Sequence, residues 1–310
     1  MRIKQVAAVV ALAALAIAPA ACGKEGTPTP STPGGGGAAP VSDACVDTGL
    51  TNTPATPTIT GSPTYDKAKT AGKIVIGVKF DQPNLGYKDT QGKRCGFDIE
   101  IARLLASKLG FDESKIEYKE IPSANRETEI KGGGIDYYVG TYSITDKRKA
   151  DVSFAGPYFI AGQDLLVRKD DTAITGKETL QGKKVCSVTG STPIQRVRDE
   201  KLTDAANISE FKTYSECVSQ LLDGKTDAVT TDDAILKGYA AQRPDKLKVV
   251  GKPFSTEKYG IGLAHDDKAL RDFINDTLDA AFKDGTWQKI YDATLGKSGS
   301  PATAPPLERY

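Results

Sequence analysis

Four charged residues stand at or near the ends of apolar runs, where a folded chain could gather them: Lys79, Arg126, Arg148 and Asp232. Residues 140–148, GTYSITDKR, follow one such run. Gly140, Thr141 and Ser143 can present backbone amides and hydroxyls to an anion, and Arg148 can fork two hydrogen bonds onto a carboxylate. Residues 189–193, TGSTP, open a helix after another run. Ser191 or Thr192 suits its cap and Pro193 its first turn, and free amides there also favour an anion. Asp232 can hold an ammonium group, and can equally cap the helix that follows it. Neither glycine segment is a phosphate loop, because GxxxxGK[ST] is absent. Taken singly, each motif has an ordinary alternative: a polar turn, a helix cap or a solvated charge.

Bond-making chemistry finds less support. The one histidine, His265, precedes Asp266 and Asp267 at a helix start, which suits a cap or a surface. No GxSxG turn accompanies it. The one tryptophan, Trp287, shares a stripe with Ile290 and Tyr291 and reads as core. With a single histidine and no CxxC, no metal site is expected, and no motif calls for a cofactor. Lys plus Arg is 41 and Asp plus Glu is 40, a net charge of +1. That balance offers no basic excess for a nucleic-acid partner.

The elements that would position these residues alternate. Residues 74–78, 116–118, 135–139, 164–167, 184–188 and 228–230 have the apolar or alternating character of strands. Helical patterns lie at 98–109, 193–200, 215–222, 234–240, 268–283 and 286–295. Strand and helix in turn predict an α/β fold with parallel sheets. Ligands of such sheets collect beyond the carboxyl ends of strands. That rule selects residues 79–85, 140–143, 189–192 and 231–232, the segments that carry Lys79, Thr141, Ser143, Thr192 and Asp232.

The N-terminus predicts export. Arg2 and Lys4 precede an uncharged apolar run, residues 6–18, shorter than the roughly 20 residues a membrane span needs. Residues 1–21 therefore read as a signal peptide. The small residues before Cys22 resemble a bacterial lipobox, which implies lipidation of Cys22 and an anchor on the outer face of the cell membrane. Lipidating Cys22 leaves Cys45, Cys95, Cys186 and Cys217, enough for two disulfides in an oxidising compartment, with three possible pairings. Residues 22–64 are rich in Gly, Pro, Ser and Thr and are expected to form a disordered, lipidated tether. Residues 297–310 read as a second polar tail.

The stretch from about residue 73 to 296 resembles the polar-amino-acid cluster of bacterial solute-binding proteins that feed ABC transporters. The resemblance rests on 96–103 (GFDIEIAR), 143–148 (SITDKR), 154–158 (FAGPY), 189–192 (TGST), 228–232 (AVTTD) and 259–262 (YGIG), in family order and spacing. KFDQP at 79–83, PSANR at 122–126 and the Cys186/Cys217 pair point toward glutamate-binding lipoproteins. The fold so implied is a two-lobe periplasmic-binding-protein fold, α/β in each lobe, with two crossing hinge strands near 158–162 and 255–259. Lobe one would be 65–160 with 258–296, and lobe two 161–257. Cys186 and Cys217 then fall within one lobe, which favours the pairing Cys45–Cys95 and Cys186–Cys217.

The resemblance assigns Arg148 to the α-carboxylate of an amino acid, helped by Ser143 and by amides near Thr141 and Thr192, and Asp232 to its ammonium. Lys79 and Arg126 match positions that hold a side-chain carboxylate in acidic-ligand relatives, and Tyr214 matches a ligand-contacting tyrosine. Lys79, Arg126 and Arg148 against Asp232 sum to +2, suited to glutamate or, one methylene shorter, aspartate. The expected function is monomeric capture of an acidic amino acid and delivery to an ABC-transporter permease. A few members of the fold are exported dehydratases, which need a proton donor or base in the cleft, and a ligand-sensing role is compatible with the tether.

Overall fold

The computed structural model describes residues 44–298 and 302–310, so the signal peptide and Cys22 lie outside the described residues. The run IVIGV becomes β1, Ile74–Val78, buried at every position but Val75. A short hairpin follows, β2 (Tyr87–Lys88) with β3 (Arg94–Cys95), then helix α2 (Phe97–Lys108) after α1 (Pro63–Ala71). The first lobe continues through β4 (Ile116–Glu120), α3 (Arg126–Lys131), β5 (Tyr137–Val139), α4 (Asp146–Lys149) and β6 (Ser153–Ala161). The second is built from β7 (Gln163–Arg168), β8 (Val185–Val188), α5 (Thr192–Asp199), β9 (Ile208–Phe211), α6 (Tyr214–Leu222), β10 (Ala228–Asp232), α7 (Asp233–Gln242) and β11 (Leu247–Val249). The chain returns on β12 (Glu257–Leu263) and ends in α8 (Lys268–Lys283) and α9 (Thr286–Ala293).

Two five-stranded sheets result, ordered β4-β1-β5-β12-β6 and β11-β7-β10-β8-β9. They are mixed, not purely parallel as expected. The physical reason is the double crossing. The chain leaves the first sheet on β6 and comes back beside it on β12, so the two run antiparallel, with Glu257 opposite Ala161 and Tyr259 opposite Phe159. In the second sheet β7 likewise runs against β10 and β11. The expected crossings fall on this β6–β12 pair. Trp287 is core, as predicted: it stacks on Tyr291 with ring centroids 5.4 Å apart and donates to the Tyr158 carbonyl of β6.

Both terminal segments depart from the expectation of solvated tails. Residues 44–62 lie along the first lobe. Cys45 is bonded to Cys95, the Ala55 amide donates to the Ser107 carbonyl, and Leu50 and Ile59 pack on the core. Helix α1 then starts at Pro63, capped by the Ser62 hydroxyl. At the other end Ala302, Ala304 and Leu307 pack on the same core. The Glu308 amide donates to the Gly156 carbonyl and the Phe154 amide to the Tyr310 hydroxyl, along the free edge of β6. Composition is a poor guide here because a few apolar anchors and an unpaired strand edge suffice to hold a polar segment down. The second disulfide, Cys186–Cys217, joins β8 to α6.

Candidate functional site

The segments following β1, β5, β8 and β10 converge between the lobes. Lys79 follows β1 directly and is buried; its Nζ donates to Ser123 Oγ (2.8 Å) and the Ile121 carbonyl (3.3 Å). Arg126 opens α3, also buried. Its Nε donates to the Ser123 carbonyl (3.0 Å), its Nη2 reaches the Gly190 carbonyl of the second lobe (3.2 Å), and its guanidinium stacks 4.3 Å from the Tyr142 ring. The two cations thus meet at Ser123. Arg148 stacks on Tyr142 as well, at 4.9 Å. Its Nη1 donates to the Ser143 carbonyl (2.8 Å) and to Thr192 Oγ1 (3.1 Å), its Nη2 to the Gly190 carbonyl (3.2 Å), and its Nε pairs with Glu127 at 3.2 Å.

Both arginines therefore hold the turn at Gly190 across the cleft. That turn needs glycine: its φ is +77°, and a Cβ would lie 2.7 Å from the Ala124 backbone of the other lobe. Ser191 caps α5, its hydroxyl accepting from the Ile194 amide. Gly140 ends against Lys79 and the Tyr138 hydroxyl. A cavity of about 370 Å³ is lined by Ser123, Glu127, Arg148, Gly190, Ser191 and Thr192 among others.

Asp232 precedes α7 but does not cap it with its side chain. Its Oδ2 accepts from the Tyr259 hydroxyl at 2.7 Å, and its Oδ1 is buried with no protein partner. The hydroxyl of Tyr138 and the side-chain amide nitrogen of Gln82 are buried and unpartnered in the same way. These are the groups a polar ligand would satisfy, since an unmet buried polar atom costs on the order of 1–3 kcal/mol. Tyr214 opens α6 and is buried.

Burial sets the site's titration. It pushes Asp232 up to about 7, with Glu257 adding repulsion. Burial likewise raises Asp98 to about 7, against hydrogen bonds from Tyr158 (2.7 Å) and the Thr141 amide (3.1 Å). Lys79 is lowered to about 7 by burial and then by the Arg126 charge. Arg148 falls to about 10 for the same two reasons and stays charged at neutral pH.

Residues 74–297 match the bacterial extracellular solute-binding proteins, family 3. The chain belongs to that family. It is 42% identical over 236 residues to the glutamate-binding protein GluB of Corynebacterium efficiens, covering 73% of this chain and 80% of that protein. It is 43% identical over 214 residues to a glutamine-binding protein of Geobacillus stearothermophilus, covering 69% and 80%. Among solved structures, an ancestral arginine-binding protein bound to glutamine superposes with a TM-score of 0.67 at 37% identity, over 71% of this chain and 96% of that one. Family membership makes this an amino-acid-binding, ABC-type extracytoplasmic protein, and these relatives are binding proteins rather than enzymes. Among the described residues no helix is long and apolar enough to cross a membrane.

Of the residues read from the sequence, Lys79, Arg126, Ser143, Arg148 and Thr192 are linked around Ser123 and Gly190, Ser191 lines the same cavity and Gly140 lies against Lys79, while Thr141, Tyr214 and Asp232 are held by Asp98, Asp81 and Tyr259. Two details change. The Thr141 amide, expected to meet a ligand carboxylate, donates to Asp98 instead, while its hydroxyl reaches Gln82. The site charge of +2 omitted Asp81 and Asp98, which act on Lys79, and Glu127, which pairs with Arg148. Asp98 is a fully buried titrating group acting on Lys79 that the sequence did not reveal. His265 is exposed beside Asp266, away from these groups.

Proposed function

We propose that the protein captures glutamate, with aspartate the nearest alternative, outside the cell membrane and hands it to an ABC-transporter permease. The observation that carries this reading is the pair of buried cations meeting at Ser123. Arg126 and Lys79 repel each other out of water, so a ligand carboxylate placed between them would relieve a cost the protein otherwise bears. In this reading Arg148 takes the α-carboxylate and Asp232, through its unpartnered Oδ1, the ammonium. Glutamine is the second reading. The acidic partners Asp98 and Glu127 support it, because they lower the cleft's net positive charge.

Proton linkage separates the two. Lys79 is charged below about pH 7 and loses its proton above it. A carboxylate beside it raises its pKa, so glutamate binding takes up a proton above pH 7. Affinity for glutamate should therefore fall as pH rises from 7 toward 9, by up to about tenfold per unit. Glutamine, with no side-chain charge, should show a shallower fall. Asp232 titrates in the same range but meets the ammonium common to both ligands, so it cancels in the ratio, while Asp98, beside Lys79, would be raised by the glutamate carboxylate alone and adds to the same fall. Calorimetry of both ligands at pH 6, 7.5 and 9 measures that ratio. A wild type that prefers glutamine at every pH, or a ratio that does not move, refutes the acidic assignment.

The signal peptide and the Cys22 lipid complete the proposal, placing the protein on the outer face of the membrane. Cys22→Ala should release it from the membrane fraction. Undiminished membrane association in that variant would place the anchor elsewhere.

A further inference from the structure

The loop after β1 makes a second connection across the cleft, and it uses none of the four charges assigned to a ligand. Asp81 is a buried residue of the first lobe. Its Oδ2 accepts from the backbone amides of Tyr214 (2.8 Å) and Ser215 (3.1 Å), the first two residues of α6 in the second lobe. The hydroxyl of Tyr239, on α7, hydrogen-bonds both the Asp81 carbonyl and, at 3.2 Å, its Oδ2. Two residues on, the Pro83 carbonyl approaches α7 so closely that a Cβ on Gly238 would sit 2.5 Å from it.

The N-terminus of α6 is divided between two caps. Thr213 and Glu216 form a capping box within the helix, leaving the Tyr214 and Ser215 amides to the foreign carboxylate. An anion there is favoured by unsatisfied amides and by the helix dipole. Every one of these partners of Asp81 belongs to the opposite lobe, so these bonds exist only while the lobes are together.

We propose that Asp81 is a latch for the closed state, a positioning residue that sets how long the lobes stay shut whatever amino acid lies between them. The inference rests on the reading that the protein closes on an amino acid, and it divides the labour of closure. Arg126 and Arg148 hold Gly190 with side chains that the proposed function also assigns to the ligand, so they couple closure to ligand binding. Asp81 holds α6 and α7 by hydrogen bonds that involve none of the ligand-assigned charges, so this part of closure is common to all ligands, while its charge also acts on Lys79 and is felt by an acidic ligand alone. Since the latch acts after docking, it should change dissociation far more than association.

The test is Asp81→Ala, with Tyr239→Phe as a second variant that keeps the ring and loses only the hydroxyl. Stopped-flow dissociation of glutamine should speed up on the order of tenfold for Asp81→Ala and less for Tyr239→Phe, as loss of a helix cap predicts, and Tyr239→Phe, which keeps the Asp81 charge, should speed glutamate and glutamine by the same factor. Association rates should stay within about twofold. Small-angle scattering of the ligand-free protein should show no more compact population in Asp81→Ala than in wild type. Unchanged dissociation in both variants overturns the latch. So does a change confined to one ligand in Tyr239→Phe, which would make this contact part of ligand recognition, and so does a ligand-free variant that is more closed than wild type. If wild type binds neither amino acid, the proposed function falls instead. The latch is then judged by scattering alone, and stands only if Asp81→Ala is measurably more open.

Discussion

Arg148→Ala is expected to abolish measurable binding of every amino acid tried. In the proposed reading Arg148 serves the group common to all of them, and three further contacts depend on it. It crosses the cleft to Thr192 and Gly190, and it neutralises Glu127, which also accepts from the Tyr142 hydroxyl. Removing one partner of a hydrogen-bonded charge pair costs about 2–5 kcal/mol, at least about 30-fold in affinity. Arg148→Lys keeps the charge and loses the planar fork, so it should recover only part of the loss. Arg148→Ala combined with Glu127→Gln removes the carboxylate left behind. If that double variant restores tight binding, the single variant failed through Glu127, and the carboxylate role of Arg148 is refuted. Calorimetry on the three variants, with thermal unfolding as the control for folding, decides it.

How much of this could be read from the sequence depended on where a residue's energy comes from. β1, α2 and α8 were legible because burial on one stripe, or on both faces, writes a period into the chain. The expected helix 268–283 is α8, and 98–109 is α2 shifted by one residue. The strands β9 and β11 were not foreseen. They are the short edges of the second sheet, mostly half-buried and carrying Glu210 and Lys248, too short for alternation or an apolar run to mark them. The mixed pairing was hidden for another reason, since direction is a property of the crossing and not of any strand.

In the site, Lys79 stood at a strand end, while Arg126 and Arg148, which lie on α3 and α4, drew their site roles from the family resemblance. Asp98 had neither mark. It sits in the first turn of α2, where an acidic residue complements the helix dipole and needs no other explanation. Only the tertiary fold turns it inward, under Tyr158 and Thr141. The same holds for Asp81, whose partners are 133 and 158 residues away. A sum of charges along the sequence therefore miscounts a site whose counter-ions arrive from elsewhere.

That miscount makes Arg126→Ala the sharper test of selectivity. Arg126 and Lys79 share Ser123, and the Arg126 charge lowers the Lys79 pKa. Deleting Arg126 takes away the second largest cause that lowers the Lys79 pKa, and Lys79 should then hold its proton to higher pH. Two consequences follow for a glutamate binder. Glutamate affinity should drop by about 30-fold or more, as for any truncated buried charge partner, while glutamine should lose less because its amide never drew on the full charge. The pH at which the glutamate-to-glutamine ratio begins to fall should also move upward, because the remaining cation is the more easily protonated one. Arg126→Ala takes away the bond to Gly190 in every complex, so some loss common to both ligands is expected and the ratio is the quantity to read. Equal losses for the two amino acids would make Arg126 a clasp between lobes rather than a reader of side-chain charge, and the acidic-ligand assignment would fail while the fold and family stand.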